Sequence, residues 1–204
     1  MDTALALLLL AGAGATTALR SWRQRRARKR ARAQLRARPP LDASTPDGSV
    51  VRVTGTVRAL ATLASPLEGT PCVVFRASVD AQVGGLREVV QLTPFVLERD
   101  GEPPVLVDGT HALFDLSPAR VHVADRLRVE QFLARFGMTV ANEIPRLEEL
   151  VITAGQRISV AGLVMHDIPD APTTDERGFR EHARPQLRIA GNAEHPLAIG
   201  RPED

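Results

Sequence analysis

The chain has 204 residues, 44% of them apolar but only 3% aromatic and none tyrosine, which suffices for one ordinary domain plus an anchor and demands a core of Val, Leu, Ile and Ala. One cysteine excludes an internal disulfide and any four-cysteine zinc site, and so few aromatics argue against a nucleic-acid face built on stacked rings. The net charge of +2 hides a split: residues 20–38 carry ten basic residues and no acid, leaving sixteen basic and twenty-three acidic residues in 39–204, a balance of −7.

Residues 3–19 contain no charge and are predicted to form a transmembrane helix. Seventeen helical residues span about 25 Å, the short limit for crossing a bilayer. A cleaved secretory signal is the rival, because Ala11-Gly12-Ala13 and Ala13-Gly14-Ala15 look like small-residue cleavage sites. A signal peptide, however, carries its positive charge before the apolar run, and here the charge follows it. That asymmetry predicts an uncleaved anchor in an inner membrane, N-terminus outside and domain on the cytoplasmic side. Trp22 is placed for the interface, and Gly14-x-x-x-Ala18 offers a small-residue spacing for pairing two such helices into a homo-oligomer.

Residues 20–38 are rich in arginine and alanine and predict a helical continuation. Ala27, Ala31 and Leu35 form a thin apolar stripe on it. Arg20, Arg23, Arg25, Arg26, Arg28, Lys29, Arg30 and Arg32 are read as membrane-surface residues, attracting anionic head groups at roughly 1 kcal/mol each. A basic arm for nucleic acid is the competing reading, disfavoured by the adjoining apolar span. Pro39-Pro40 stops the helix, and residues 39–48 read as linker and turn.

From residue 49 to 200 the periodicity is mostly two. Val51, Val53 and Val57 predict a first strand, with Gly55 marking a bulge. Cys72–Val79 predicts a second, with Cys72 and Val74 facing one way and Val73, Phe75 and Ala77 the other. Gly84-Gly85 predicts a hairpin turn into a third strand over 87–97. Asp100-Gly101 with Pro103-Pro104, and then Asp108-Gly109, predict turns around Val105-Leu106-Val107 and before 112–116; Val121 and Val123 suggest one more short piece. Asp125 caps the one clear soluble helix, whose stripe of Val129, Phe132, Leu133 and Phe136 suits core packing and which Gly137 closes. Residues 150–152, 158–164, 187–190 and 196–199 are further strands, and 167–185 a polar excursion. The fold class is therefore mainly β, an antiparallel barrel or sandwich with an OB-like barrel among the options, one short soluble helix and the N-terminal transmembrane helix.

Ser65-Pro66-Leu67-Glu68-Gly69-Thr70-Pro71-Cys72-Val73-Val74-Phe75-Arg76 stands out as a tight turn delivering the chain into a strand. It resembles the signature of the GIDE/MULAN-type domain, which reads S-P-L-x-G-x-P-C-V-x-aromatic-R. Val51–Val57, Pro94–Gly101 with Val105–Asp108, and Glu149–Gly162 resemble further blocks of that family in the same order. In the mitochondrial RING ubiquitin ligases of that name the domain lies between membrane helices and is regarded as a recognition or regulatory module, while ubiquitin transfer belongs to the RING. The resemblance thus implies a recognition part; this chain has too few cysteines for a RING and no second apolar span after residue 40. Ser65, Pro66, Gly69, Pro71 and Cys72 match the motif and are read as architectural.

No catalytic, cofactor-binding or metal set emerges from the residues, and no cofactor is implied. Cys72 is the obvious nucleophile, but it opens a strand after a proline rather than a helix, and reads as a small buried hydrophobe. His111, His122, His166, His182 and His195 show no helical i, i+4 pairing, and His166-Asp167 would orient a base only if a site existed there. The acids at Glu98, Asp100 and Glu102 sit on a hairpin tip, and Glu148-Glu149 forms a second cluster. The expectation is a membrane-anchored recognition or regulatory protein binding a protein partner or ligand. An enzyme of the ubiquitin-ligase-related family or a Cys72-dependent activity, and a basic-arm nucleic-acid binder, are the alternatives.

Overall fold

The structure, a computed structural model, describes residues 24–42, 44–81, 85–121, 125–138, 146–166 and 187–202. The anchor over 3–19, Arg20, Trp22, Arg23, the turn at Gly84, Val123 and the excursion over 167–185 lie outside the described residues. In chain order the elements are α1 (residues 24–37), β1 (Val50–Ala59), β2 (Leu63–Ala64), β3 (Pro71–Cys72), β4 (Val74–Ala81), β5 (Gly85–Leu92), β6 (Phe95–Arg99) and β7 (Glu102–Gly109). They continue with β8 (Ala112–Asp115), β9 (Ala119–Arg120), α2 (Arg126–Ala134), β10 (Arg146–Ile152), β11 (Arg157–His166), β12 (Leu187–Gly191) and β13 (Leu197–Gly200).

Five strands close into a barrel in the ring order β1-β6-β7-β12-β11 and back to β1. Neighbours are antiparallel except β7 and β12, which run parallel. That pair is joined through the intervening elements, the long crossover a parallel pair requires. β13 adds to β11 at Ser159–Ala161, and β8 lies parallel on β13. The wall closes because each strand alternates, as β1 does with Val51, Val53 and Val57 inward. Phe95, Leu97, Val105, Val160 and Ile189 fill the interior with no more than 1% exposure. Full burial of each such side chain stabilises the fold by about 1.5–3 kcal/mol.

A second sheet, β5-β4-β10-β9, comes from chain inserted between the barrel strands. Its Phe75, Ala77, Val79 and Leu147 pack under α2 through Val129, Phe132 and Leu133. The α2 stripe therefore faces core, and Phe132 and Phe136 meet edge to face at 5.3 Å. Asp125 caps that helix, accepting from the amides of Leu127 and Arg128 at 3.0 and 3.3 Å. Gly137 follows at φ +67°, the left-handed residue that ends it.

Several expectations change. The single run over 87–97 is two strands in different sheets, because Pro94 cannot donate to a ladder and the chain crosses from sheet to barrel there. Pro103 and Pro104 lie inside β7, ahead of its pairing with β12 at Val105, so no ladder donor is missed. Asp108 and Gly109 stay in that strand opposite Ala190 and Gly191. Gly55 marks no bulge, since the β1–β11 register runs unbroken through it. A Cβ at Gly55 would stand 2.6 Å from the Glu98 carbonyl oxygen, so glycine is required by close backbone approach. Val73 forms a bend between β3 and β4, which restarts the alternation. Cys72 consequently joins Phe75 and Ala77 beneath α2, while Val73 and Val74 both enter the barrel core.

The apolar stripe of α1 is not idle. Ala31 is fully buried and Leu35 is 4% exposed, both packed against Ala161 and Ala198 on the barrel wall, with Leu113 alongside. A second helix thus belongs to the folded body beside α2. Past it, Leu41 N donates to Arg52 O and Arg52 N to Pro39 O, tying residues 39–41 to β1.

Candidate functional site

The turn over 65–72 is wound around one carboxylate. Glu149 on β10 is 3% exposed and faces the turn. Ser65 Oγ donates to its Oε2 at 2.8 Å, Leu67 N to Oε1 at 3.0 Å and Glu68 N to Oε2 at 3.3 Å. Ser65 Oγ in turn accepts from Thr70 N, and Ser65 O from Gly69 N, so the loop closes on itself. Gly69 adopts φ +74°, and a Cβ there would meet the Arg128 guanidinium of α2 at 2.7 Å. The positive φ is what favours glycine here; the Arg128 guanidinium, at the end of a flexible side chain, could move aside. Pro66 sits within the turn itself, and Pro71 opens the short ribbon with β2.

Cys72 follows, 1% exposed, its Sγ 3.6 Å from the Leu63 carbonyl. Burial, and secondarily the Glu149 charge, pushes its thiol from 9.0 up to about 11. A nucleophilic cysteine needs the opposite environment, a cation or helix N-terminus that stabilises thiolate. The five motif residues come together as a loop closed on itself, not as a reactive centre. Glu149 is the member that sequence reasoning treated as one of an acidic pair and did not connect to the turn. Its signal is its position two residues from Leu147 and two from Val151, on the same apolar face of β10, where a carboxylate reads as buried and therefore partnered.

The remaining candidates disperse. His166 pairs with Asp47 through both its ring Nδ1 and its amide, clasping the turn before β1 to the end of β11. These bonds hold the Asp47 carboxyl below its ordinary range. His111 shares a 2.9 Å bond with Thr110 Oγ1, and His195 N donates to Asn192 Oδ1. His122 and His182 lie outside the described residues. Asp100 pairs with Arg157, Glu98 with Arg58 and Glu102 with Arg99, all at the barrel rim. Among the described residues no three His, Cys, Asp or Glu side chains are grouped to hold a metal ion.

The basic helix divides into two faces. Arg25, Arg26, Lys29 and Arg30 are exposed. Arg28 NH1 instead donates to Ser117 Oγ at 3.2 Å, and Arg32 Nε to Asp115 Oδ2 at 2.8 Å. Beside these contacts opens a cleft of about 410 Å³ between the C-terminal half of α1 and the barrel. Arg32, Arg36, Arg52 and Arg201 line it with Asp115, Ser117 and Ser159. Arg52 NH1 reaches the Leu35 carbonyl at 3.4 Å, and Ser159 Oγ is bonded to Thr54 Oγ1 at 2.6 Å. Among the described residues, no helix is long and apolar enough to cross a membrane. No family model, curated protein or solved structure matches the chain, so its function is read from its own residues.

Proposed function

We propose that this chain is a single-pass membrane protein whose GIDE-like β-domain recognises a partner on the cytoplasmic side and makes or breaks no bonds of its own. The observation that carries this reading is the use made of the signature. Its serine hydroxyl and two of its amides are spent on Glu149, and its thiol is buried with a raised pKa. A motif consumed in this way serves architecture, as the resemblance to a recognition module implies. The barrel supports an OB-type assignment, its strands following one another around the ring as first, second, third, fifth and fourth, with the third and fifth parallel. Barrels of that type carry recognition surfaces on many unrelated proteins, so the type alone names no partner.

The membrane half of the reading rests on residues 3–19 followed by the ten basic residues of 20–38. Membranes from cells expressing the full chain are expected to retain it through an alkaline carbonate wash, with a C-terminal reporter active on the cytoplasmic side. A chain released by carbonate, or a reporter active only outside, would sink the reading.

A further inference from the structure

We infer that β5 is a pairing edge on which a second copy of this chain adds its own β5, antiparallel, so that two small sheets become one. The inference goes beyond the recognition reading by naming a surface and its occupant, and it holds whether or not residues 3–19 insert into a bilayer. The sheet β5-β4-β10-β9 ends on β5, and its other end is the two-residue β9. Along β5 the register with β4 runs unbroken from Leu92 opposite Val74 to Gly85 opposite Ala81. Thr93 N donates to Val73 O in that same register, so period two points the amides and carbonyls of Gln91, Val89 and Arg87 at β4. Those of Leu86, Glu88, Val90 and Leu92 point away from it, and no strand among the described residues pairs with them. Arg87, Glu88, Val90 and Gln91 are exposed, Val90 at 37%, so this edge meets solvent.

Folds blunt such edges with proline, bulges, lysine or a covering element, because a free ladder edge templates further pairing. β8 ends the larger sheet, and α1 lies against it, Arg32 on Asp115 and Ala31 beside Leu113. β5 contains no proline, no lysine and no break in register. Its two charges, Arg87 and Glu88, are of opposite sign, and Glu88 is held by Arg76 at 2.7 Å. The strand also fits itself. Its outward groups lie on even-numbered residues, so two copies pair with even opposite even. Glu88 opposite Glu88 would set like charges together, which disfavours that register. One step on, Val89 stands opposite Val89, Glu88 opposite Val90, Arg87 opposite Gln91 and Leu86 opposite Leu92. That arrangement pairs the strand over 86–92, forms about eight backbone bonds and sets no like charges opposite one another. A further step, Val90 opposite Val90, carries Arg87 past the strand end to Thr93 and forms about six.

The test oxidises the full chain in broken cells that express two differently tagged copies, read by non-reducing electrophoresis. Val89 opposite Val89 is a non-hydrogen-bonded pair, its Cα atoms about 4.5 Å apart and within disulfide reach. Val89→Cys is therefore expected to link one tag to the other. Arg87→Cys lies roughly 14 Å from its own copy and should by itself link at least about tenfold less. Mixed with Gln91→Cys chains, which it opposes, it should link as well as Val89→Cys does. The native Cys72 is 1% exposed, so the unaltered chain serves as the blank. Val90→Pro removes an outward N–H and no bond to β4, so the variant keeps its fold, which its melting temperature checks. Added to Val89→Cys, it should cut the linked product roughly tenfold. Arg87→Cys alone linking as strongly as Val89→Cys would mean collision without register, as when anchors pair through Gly14 and Ala18, and would overturn the proposal. So would the absence of any linked product, which would mean that the edge is covered by another part of this chain, or a link unmoved by Val90→Pro. Val89→Cys joined to a different protein would assign the edge to a foreign strand and overturn the second copy as its occupant.

Discussion

Two regions of this molecule lie where a helix covers β-structure, and they treat charge differently. Under α2, Glu149 is closed in by a hydroxyl and two amides of its own chain. Under α1, four arginines line an open cleft, with Asp115 the one carboxylate among the described residues that line it. A buried ion must be neutralised or hydrogen-bonded by the fold itself, so its partners are part of the architecture. Arginines beside an open cleft meet no such requirement, because their charge stays within reach of water. The lesson is to judge a charged residue by how deeply the fold buries it, and not by its rarity or its place in a motif.

The largest expected effect breaks the closed side. Glu149→Ala strands Ser65 Oγ and the amides of Leu67 and Glu68, and is expected to cost roughly 3–4 kcal/mol in denaturant unfolding. Glu149→Gln keeps the volume and one acceptor and should recover about half of that. A loss below about 1 kcal/mol in the alanine variant would show that the loop holds without its anchor.

The open side depends on α1 staying docked. Leu35→Ala removes a side chain packed against Ala161 and Ala198 and should cost about 2–3 kcal/mol. Trypsin, offered the arginines of α1, should then cleave that helix faster than in the native protein. Identical cleavage rates would place the helix off the barrel in solution.

Cys72 sharpens the contrast at smaller cost. With its thiol at about 11 instead of 9.0, alkylation near pH 8 should run about 100-fold slower than for an ordinary thiol, and accelerate toward the higher value. Fast labelling at neutral pH would revive a nucleophilic role. The smallest effect concerns Asp47. Its folded-state value lies below the ordinary 3.8, so the His166 clasp contributes stability above that value and loses it as pH falls through the depressed one. Asp47→Asn should remove this part of the acid sensitivity together with the same small stability near neutrality; an unaltered acid profile would mean that the exposed pair contributes nothing.

Local features were legible in the residues because local chemistry creates them. Asp125 before an amphipathic stripe, Gly137 after it, and the turn glycines Gly69, Gly101 and Gly155, all at positive φ, announce themselves through spacing and backbone freedom. The valines of β1 did the same by alternation. Where the reading failed, one residue interrupted a period: Val73 reset the facing of Cys72, and Pro94 split one expected strand between two sheets. The apolar stripe Ala27, Ala31 and Leu35 was visible, but its partner, a pair of alanines on β11 and β13, lies more than a hundred residues away.

By itself, the sequence determined the charge split, the absence of a four-cysteine zinc site, the β-rich character and the position of the signature turn. Each follows from composition or from residues within a few positions of one another. Tertiary structure alone decided that Glu149 anchors that turn across 84 residues, that five strands close into a ring, and that arginines 32, 36, 52 and 201 line one cleft. Those facts depend on which distant surfaces bury one another, and burial is a property of the assembled chain rather than of any stretch within it.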